Sequence, residues 1–139
     1  MRVLITAPFT ESSLKDLRDA GLDVDHLSWL KTGKLHMADS LLKTIKNGKY
    51  DIVIVEGDEL KEEIFEQTEL KLVGSVRSSP NNISLQSATA KKIPVIFVPG
   101  RNTIAVAEHA IALMLAQARK IVGAERFLKN DFFVDDFKD

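Results

Sequence analysis

Short apolar runs alternate along residues 1–100 with segments whose apolar residues are spaced for helices. The run Asp51–Glu56, whose central residues are β-branched, is typical of a strand buried on both faces. Strands separated by helices predict a parallel sheet with helices on both sides. The predicted strands are 2–7, 22–29, 51–56, 70–76 and 94–98, and the predicted helices are 11–20, 37–46, 61–67 and 85–92.

The segment that follows the last predicted strand is apolar on nearly every side. From Ile104 to Ala118 the polar residues are Glu108, His109 and Gln117. A helix without a polar face must be covered on all sides, and this one is shorter than the about 20 residues that span a bilayer. We predict one long helix over 101–130, with Asn102 as its N-cap, and a loose tail over 131–139.

These elements predict an α/β fold. Residues 1–100 would form a flavodoxin-like three-layer sandwich around a five-stranded parallel sheet. The long C-terminal helix would follow it and would need a second packing partner beyond this chain, which suggests part of a larger protein.

Composition excludes several classes of function. The net charge of −1 gives no general attraction to nucleic acid or to acidic membranes. The chain has no cysteine, so disulfides, thiolate nucleophiles and Cys-based metal sites are impossible. The three histidines lack the spacing of a metal site, and residues 2–6 begin a strand rather than a signal peptide. We expect a cytoplasmic protein without a metal, a nucleic-acid partner or a membrane span.

Ligands of open parallel sheets bind beyond the carboxyl ends of the strands, which selects the loops 8–10, 57–59, 77–82 and 99–102. Among them we single out the loop Arg77–Asn82. This loop offers a guanidinium group, two hydroxyls and several backbone N–H groups, which together suit a carboxylate or phosphate. The alternative is an ordinary polar turn, because Ser, Pro and Asn favour turns for local reasons.

Two further polar groups have competing interpretations. Glu56, Asp58 and Glu59 follow the third predicted strand and could hold Mg²⁺, although a solvated loop is the commoner arrangement. Glu108 and His109 could form an acid–base pair, but consecutive helix residues point about 100° apart, which favours an interface role. The seven glycines form no G-x-G-x-x-G loop, and no P-loop or G-x-S-x-G motif is present.

The stretches 70–83, 88–95 and 99–119, read in order, resemble the D-isomer-specific 2-hydroxyacid dehydrogenases. They are most similar to the phosphoglycerate dehydrogenase-like branch, and the helix 105–119 is the specific part of the match, whereas the N-terminal seventy residues match only in fold pattern. The resemblance implies a two-domain, NAD-dependent enzyme whose active site lies between a substrate domain and a dinucleotide domain. The long helix would then cross between the domains and contribute to a homodimer through 102–129.

The resemblance also implies roles for single residues. Arg77, Ser78, Ser79 and Asn82 would contact the substrate, a small 2-hydroxy or 2-oxo acid, and Ser78 and Val106 would lie against the NAD cofactor. Ser78 and Ser79 stand where the family often has glycine or another small residue, and Ser84 replaces an acid. The family's catalytic residues and glycine loop have no counterpart here, so we expect no catalytic residue in this chain and no activity from it alone. The choice between NAD and NADP stays open.

A function from a different class remains possible on the sequence alone. The chain could be a flavodoxin-like regulatory or small-anion-binding module without catalysis. A phosphoryl-accepting receiver domain fits poorly, because it needs acids after the first strand, whereas this chain has Ala7 and Pro8 there, and a lysine after the fifth, where it has Pro99 and Gly100.

Overall fold

A computed structural model describes residues 1–129, which divide into a first unit, Met1–Gly100, and a second unit that begins at Arg101. The first unit alternates strands and helices along the sequence. Its strands are β1 (Arg2–Ile5), β2 (Asp23–His26), β3 (Ile52–Val55), β4 (Leu72–Ser75) and β5 (Val95–Phe97). Its helices are α1 (Glu11–Asp19), α2 (Trp29–Thr32), α3 (Ala38–Gly48), α4 (Glu62–Gln67) and α5 (Leu85–Ala90).

The five strands form one sheet in the order β2-β1-β3-β4-β5, and every neighbouring pair is parallel. The predicted α/β fold with a five-stranded parallel sheet is therefore confirmed. All the carboxyl ends of the strands lie at one edge of this sheet, which we call the carboxyl edge, and the opposite edge is the amino edge.

Alternating residues of the strands supply two separate cores. Leu4, Val53 and Val73 face the side on which α3, α4 and α5 pack. Their neighbours Val3 and Ile5 face the other side, where Leu14 of α1 is buried. Successive side chains of a strand point to opposite faces of the sheet, so a strand that is covered on both faces needs apolar residues at adjacent positions. Ile64 and Phe65 point into the first core, as their sequence spacing predicted.

The structure corrects the prediction for residues 22–29. The strand ends at His26, and a short helix, α2, begins at Trp29. The side-chain oxygen of Ser28, which is buried, accepts a hydrogen bond from the backbone N–H of Leu30 at 3.3 Å. This local capping bond favours a helical turn from Trp29 over further strand structure.

The second unit contains α6 (Thr103–Ala118) and α7 (Ile121–Lys129) rather than the single continuous helix of the prediction. The break lies at Lys120, whose φ of 52° is left-handed and ends a helix. Asn102 occupies the N-cap position, but its side chain makes no capping bond. The predicted tail, 131–139, lies outside the described residues. No helix within residues 1–129 is long and apolar enough to cross a membrane.

The apolar side chains of α6 are exposed to solvent, with Ile104 75% exposed and Met114 63% exposed. Glu108 and His109 are exposed as well, so they are not a buried acid–base pair. The all-round apolar surface that the sequence indicated is thus present, and among residues 1–129 it stays largely exposed.

A polar network ties the strands together at the amino edge. The guanidinium group of Arg2 lies 4.8 Å from the centre of the Tyr50 ring and pairs with Asp25 at 2.7 Å. The Tyr50 hydroxyl donates to the same carboxylate at 2.6 Å. The Asp51 carboxylate pairs with Lys71 at 2.6 Å and accepts a hydrogen bond from the Arg2 backbone N–H at 2.8 Å. These two contacts lower the pKa of Asp51. The network joins β1, β2 and the starts of β3 and β4.

The ionisation of Tyr50 should make stability depend on pH in the alkaline range. Burial, the hydrogen bond to Asp25 and the Asp25 charge raise its pKa to about 12, against about 10 in an unfolded chain. A pKa raised on folding means that the stabilisation is complete below pH of about 10 and is lost as pH rises toward about 12. We expect tyrosinate absorbance, which reports only this residue because the chain has one tyrosine, to give a midpoint near 12.

The variant Tyr50→Phe separates this effect from lysine ionisation. It keeps the ring beneath Arg2 but has no phenol, so its free energy of unfolding should fall less steeply than that of the parent across the alkaline range. A tyrosinate midpoint in the folded protein equal to that in urea would contradict the prediction.

Candidate functional site

The candidate site lies at the carboxyl edge, where the strand order reverses between β1 and β3. Thr6 follows β1, and Asp58 follows β3. The hydroxyl of Thr6 donates to Oδ2 of Asp58 at 2.5 Å, and both residues are buried. A buried pair of side chains therefore lies at the reversal point, and the loop Arg77–Asn82 lies one strand further, after β4.

Asp58 is the buried centre of this edge, with only 1% of its surface exposed. Its Oδ1 accepts a hydrogen bond from the backbone N–H of His36 at 2.5 Å. The interpretation of residues 56–59 as a solvated loop is wrong for Asp58, because these two short bonds replace water around its carboxyl group. Within residues 1–129 Asp58 makes no salt bridge, so hydrogen bonds alone offset its desolvation.

Residues 27–37, which we call the strap, run along the carboxyl edge between β2 and α3. The strap is attached to β1 by backbone bonds from Leu27 to Ile5 (2.8 Å) and from Trp29 to Thr6 (3.2 Å). At the end of β3, the Trp29 indole N–H donates to Glu56 Oε2 at 3.0 Å. Leu35 lies against Gly57, where an added Cβ would come within 2.9 Å of its side chain. The strap is thus fixed to the ends of two strands.

Asn82 links the loop after β4 to the loop after β3. Its side-chain N–H group donates to the backbone carbonyls of Asp58 (2.7 Å) and Glu56 (3.2 Å). Backbone bonds from Leu60 to Asn82 and from Ser84 to Leu60, each 2.9 Å, join the same loops. The amide nitrogen of Asn82 is thereby occupied, while its buried Oδ1 has no hydrogen-bond partner in the described chain. In this geometry Asn82 braces the site, and its contact with substrate stays a prediction.

The structure brings Arg77, Ser78, Ser79 and Asn82 together in one loop beyond β4. Arg77 and Ser78 are half-buried, and Ser79 is exposed. The Arg77 carbonyl accepts from Val98 at 3.1 Å, and its N–H donates to the Ser75 hydroxyl at 3.4 Å, so the backbone of the loop is held on both sides. The Arg77 guanidinium forms no salt bridge with any residue in the described range 1–129. Val106 lies on α6 in the second unit and is exposed.

Two clefts of the first unit bear on the position of the site. The smaller, about 250 Å³, opens between the loops after β3 and β4 and lies beside the candidate site. The larger, about 360 Å³, lies at the amino edge between the ends of α3 and α4. The larger cleft has more room for a ligand, but the smaller cleft lies at the carboxyl edge, where parallel sheets bind ligands. The smaller cleft is lined by Glu59, Leu60, Lys61, Asn81, Asn82, Ile83 and Ser84.

The described residues do not bring together three His, Asp or Glu side chains that could hold a metal ion. Glu56 is bonded to Trp29, and Asp58 is bonded to Thr6 and His36. The geometry gives no support to a magnesium site at these acids.

Sequence reasoning missed the contributions of Thr6, Trp29 and His36. Each acts through a single hydrogen bond to an acid that is distant in the sequence. The signal that was available is the position of Thr6 and Asp58 directly after the two central strands, because the carboxyl ends of such strands meet. Trp29 and His36 belong to a segment interpreted as the end of a strand and a loop.

Comparison with known proteins places this geometry in a family. Residues 3–132 match the sequence model of the D-isomer-specific 2-hydroxyacid dehydrogenase catalytic domain. The chain belongs to this family, as its resemblance in the sequence predicted. D-3-phosphoglycerate dehydrogenase of Archaeoglobus fulgidus is 37% identical over 131 residues, which are 93% of this chain and 23% of that protein.

Solved structures have the same fold. The TT0316 protein of Thermus thermophilus matches with a TM-score of 0.82 and 26% identity, over 96% of this chain and 42% of the other. The NAD⁺-bound 3-phosphoglycerate dehydrogenase of Entamoeba histolytica matches with a TM-score of 0.66 and 28% identity, over 84% of this chain and 38% of that one. The chain therefore spans less than half the length of these relatives.

The bracing role of Asn82 predicts that Asn82→Asp destabilises the first unit. The change would place a carboxylate oxygen against two backbone carbonyls that now accept N–H bonds, and no donor would replace the lost one. We expect the free energy of unfolding, measured by urea denaturation, to fall by about 2 kcal/mol or more.

Asn81→Asp is the matched control, because it adds the same charge one residue earlier on an exposed side chain. Its unfolding free energy should stay within about 0.5 kcal/mol of the parent. Equal effects of the two variants would show that charge, rather than the two carbonyl bonds, determines stability here.

Proposed function

We propose that this chain is the substrate-binding part of an NAD-dependent D-2-hydroxyacid dehydrogenase. The complete enzyme would transfer a hydride between NAD and a 2-hydroxy or 2-oxo acid. The observation that carries the proposal is the loop Arg77–Asn82, which stands at the carboxyl end of β4 with a guanidinium group that forms no salt bridge among the described residues. Membership of the family supports the reaction class, and the NAD⁺-bound relative supports the cofactor.

In this proposal each residue of the loop has a limited task. The Arg77 guanidinium would bind the substrate carboxylate through paired, charge-assisted hydrogen bonds. Ser78 and Ser79 would add backbone or hydroxyl donors, and Asn82 would keep the loop in place from behind. The chain has no Asp or Glu in residues 77–84 that would repel the carboxylate.

In this proposal the chain contacts only the nicotinamide end of NAD. Ser78 and Val106 would lie against the nicotinamide, while the sequence has no glycine loop to bind the pyrophosphate. When bound, NAD supplies the acceptor or donor of the hydride. We therefore propose that tight NAD binding and catalysis need a dinucleotide domain as a partner and that this chain is inactive alone. A cytoplasmic location, consistent with the absence of cysteine, is part of the proposal.

The alternative is a small-anion-binding or regulatory module without catalysis. The observation that favours it is that the loop Arg77–Asn82 and its braces lie wholly within the first unit. Both functions require anion binding, and only the dehydrogenase requires a second domain for turnover. Restoring NADH oxidation by adding a dinucleotide domain from a relative would separate them.

Arg77→Ala should weaken the binding of 2-oxo acids. The loss of one guanidinium contact to a carboxylate is worth about 1.5–3 kcal/mol, which corresponds to roughly ten-fold or more in affinity. The measurement is titration of the 139-residue chain with pyruvate, followed by isothermal calorimetry or by amide shifts in NMR spectra.

Arg18→Ala is the control, because it removes the same charge from an exposed position on α1. It should bind pyruvate like the parent. Equal affinities of the Arg77→Ala variant and the parent would remove Arg77 from the site, and NADH oxidation by the chain alone would contradict its inactivity.

We also propose that the chain forms a homodimer through residues 102–129. The support is the exposed apolar surface of α6, because such surfaces mark protein contacts. Packing this helix against a second copy would remove from water the apolar side chains that a single chain leaves exposed.

Sedimentation should show a concentration-dependent dimer that the double variant Ile111→Glu, Leu115→Glu shifts to monomer. Both side chains are exposed and lie one helical turn apart, so charges there would oppose contact without disturbing a core. Gln117→Glu, exposed on the same helix, should leave the dimer intact. A parent chain that remains monomeric at high concentration would contradict the proposal.

A further inference from the structure

The last two residues of α3 form an Asn-Gly pair at the amino edge. Asn47 is exposed, and α3 ends at Gly48. Glycine is required at this position, because an added Cβ would overlap the ring of Tyr50. The packing of Tyr50 therefore places a residue without a side chain directly after Asn47. The main-chain nitrogen of such a residue is less hindered than that of any other residue.

Asparagine before glycine can lose its side-chain amide in an intramolecular reaction. The main-chain nitrogen of Gly48 would attack Cγ of Asn47 and form a new N–Cγ bond, which closes a succinimide ring. The Cγ–Nδ2 bond would break, and ammonia would leave with the proton of the Gly48 N–H. Water would then open the ring at either carbonyl and give aspartate or isoaspartate at position 47. Water is the co-reactant, and no group is oxidised or reduced.

The helical conformation of α3 opposes this reaction. A helix holds its N–H groups in bonds to the carbonyls four residues earlier, and its side chains lean toward its N-terminus, away from the N–H that follows. The last turn of α3 must therefore open before the Gly48 nitrogen can reach the Asn47 amide. The rate of the reaction then follows the fraction of molecules in which this turn is open.

The main chain closes this turn weakly. The capping bonds from Lys49 to Lys46 and from Tyr50 to Ile45 are both 3.3 Å long, beyond the usual range of about 2.7–3.2 Å. Lys49 has a φ of 50°, in the left-handed region that favours glycine over residues with a side chain. Opening the turn relieves this conformation, so other contacts have to keep the turn closed.

Two side chains from β1 and β3 supply those contacts. The guanidinium group of Arg2 donates a hydrogen bond to the Gly48 carbonyl. The same group lies 4.8 Å from the centre of the Tyr50 ring, which is buried and lies against Gly48. Arg2 is held in turn by its pair with Asp25. The end of α3 is thus tied to the sheet through the main chain of Gly48.

We propose that Asn47 is a site of spontaneous deamidation and that Arg2 and Tyr50 set its rate by holding the last turn of α3 closed. The product loosens the same turn. A carboxylate at the C-terminal end of a helix interacts unfavourably with the helix dipole. Isoaspartate also lengthens the main chain before Gly48, which moves the Gly48 carbonyl away from Arg2. The site lies at the amino edge and does not depend on the proposed function.

The test incubates the 139-residue chain at neutral pH and measures conversion at Asn47 by mass spectrometry. Digestion before aspartate releases residues 39–50 as one peptide. We expect the folded chain to react about ten-fold more slowly than the chain in urea. Arg2→Met removes a bond from a charged donor and should raise the rate in the folded chain by about ten-fold. Tyr50→Leu, which removes the ring from Gly48, should raise it as well.

Three controls isolate the turn. Tyr50→Phe keeps the ring on Gly48 and should react like the parent. Ile5→Val removes a buried methyl group at the carboxyl end of β1 and should leave the rate unchanged, because it weakens the fold away from the turn. Asn47→Gln should give no product, because its longer side chain does not close the same ring.

Arg2 is half-buried, so Arg2→Met tests the proposal even if Tyr50→Leu does not fold. Equal rates in the folded parent and in urea would overturn the proposal, as would an unchanged rate in Arg2→Met. A rise in Ile5→Val as large as that in Arg2→Met would show that global unfolding sets the rate, and would overturn it too. The absence of product from the folded parent and from folded Arg2→Met would remove Asn47 as a site.

Discussion

The carboxyl edge depends on the buried carboxyl group of Asp58. Three other chain segments converge on this residue: Thr6 and His36 donate to its side chain, and Asn82 donates to its backbone carbonyl. Next to Asp58, Gly57 lets the chain pass close to Leu35. Burying a polar group away from water costs several kcal/mol unless the group is hydrogen-bonded. Displacing any one of these segments would therefore leave the Asp58 carboxyl or carbonyl group without a partner and destabilise the others. The shape of the site is therefore a cooperative property of these bonds.

The strand ends are held together by different interactions at the two edges of the sheet. At the amino edge, strands are joined by partly exposed charges of opposite sign, such as Arg2 with Asp25 and Lys71 with Asp51. Such pairs tolerate movement because water can replace either partner, and exposed pairs contribute little individually. At the carboxyl edge, Asp58 is held by neutral donors in a dry environment. That arrangement fixes loop positions more tightly, and the Arg77 guanidinium forms no salt bridge among residues 1–129.

The sheet and its cores could be predicted from the sequence, because the periodicities of strands and helices are visible within a few residues. The run Asp51–Glu56 and the pair Ile64 and Phe65 carried clear patterns. It was insufficient for Asp58, since a buried acid and a solvated one look alike until distant donors are known. The break at Lys120 was hidden for a related reason: lysine favours helices, and its left-handed φ reflects the local path of the chain rather than its own propensity. The position of the site loop was predictable from topology, whereas the bracing use of the Asn82 amide was not.

The loop after β4 is ordered by the fold itself, and this ordering bears on the substrate contact that we propose for Arg77. A guanidinium group on a mobile loop would bind any anion weakly, because each binding event would have to order the loop. Here the loop is ordered in advance by bonds to Val98, Ser75 and the carbonyls after β3. The remaining freedom lies mainly in the guanidinium itself. In the proposed function, this ordering would let Arg77 bind a substrate carboxylate without a further cost for ordering the loop.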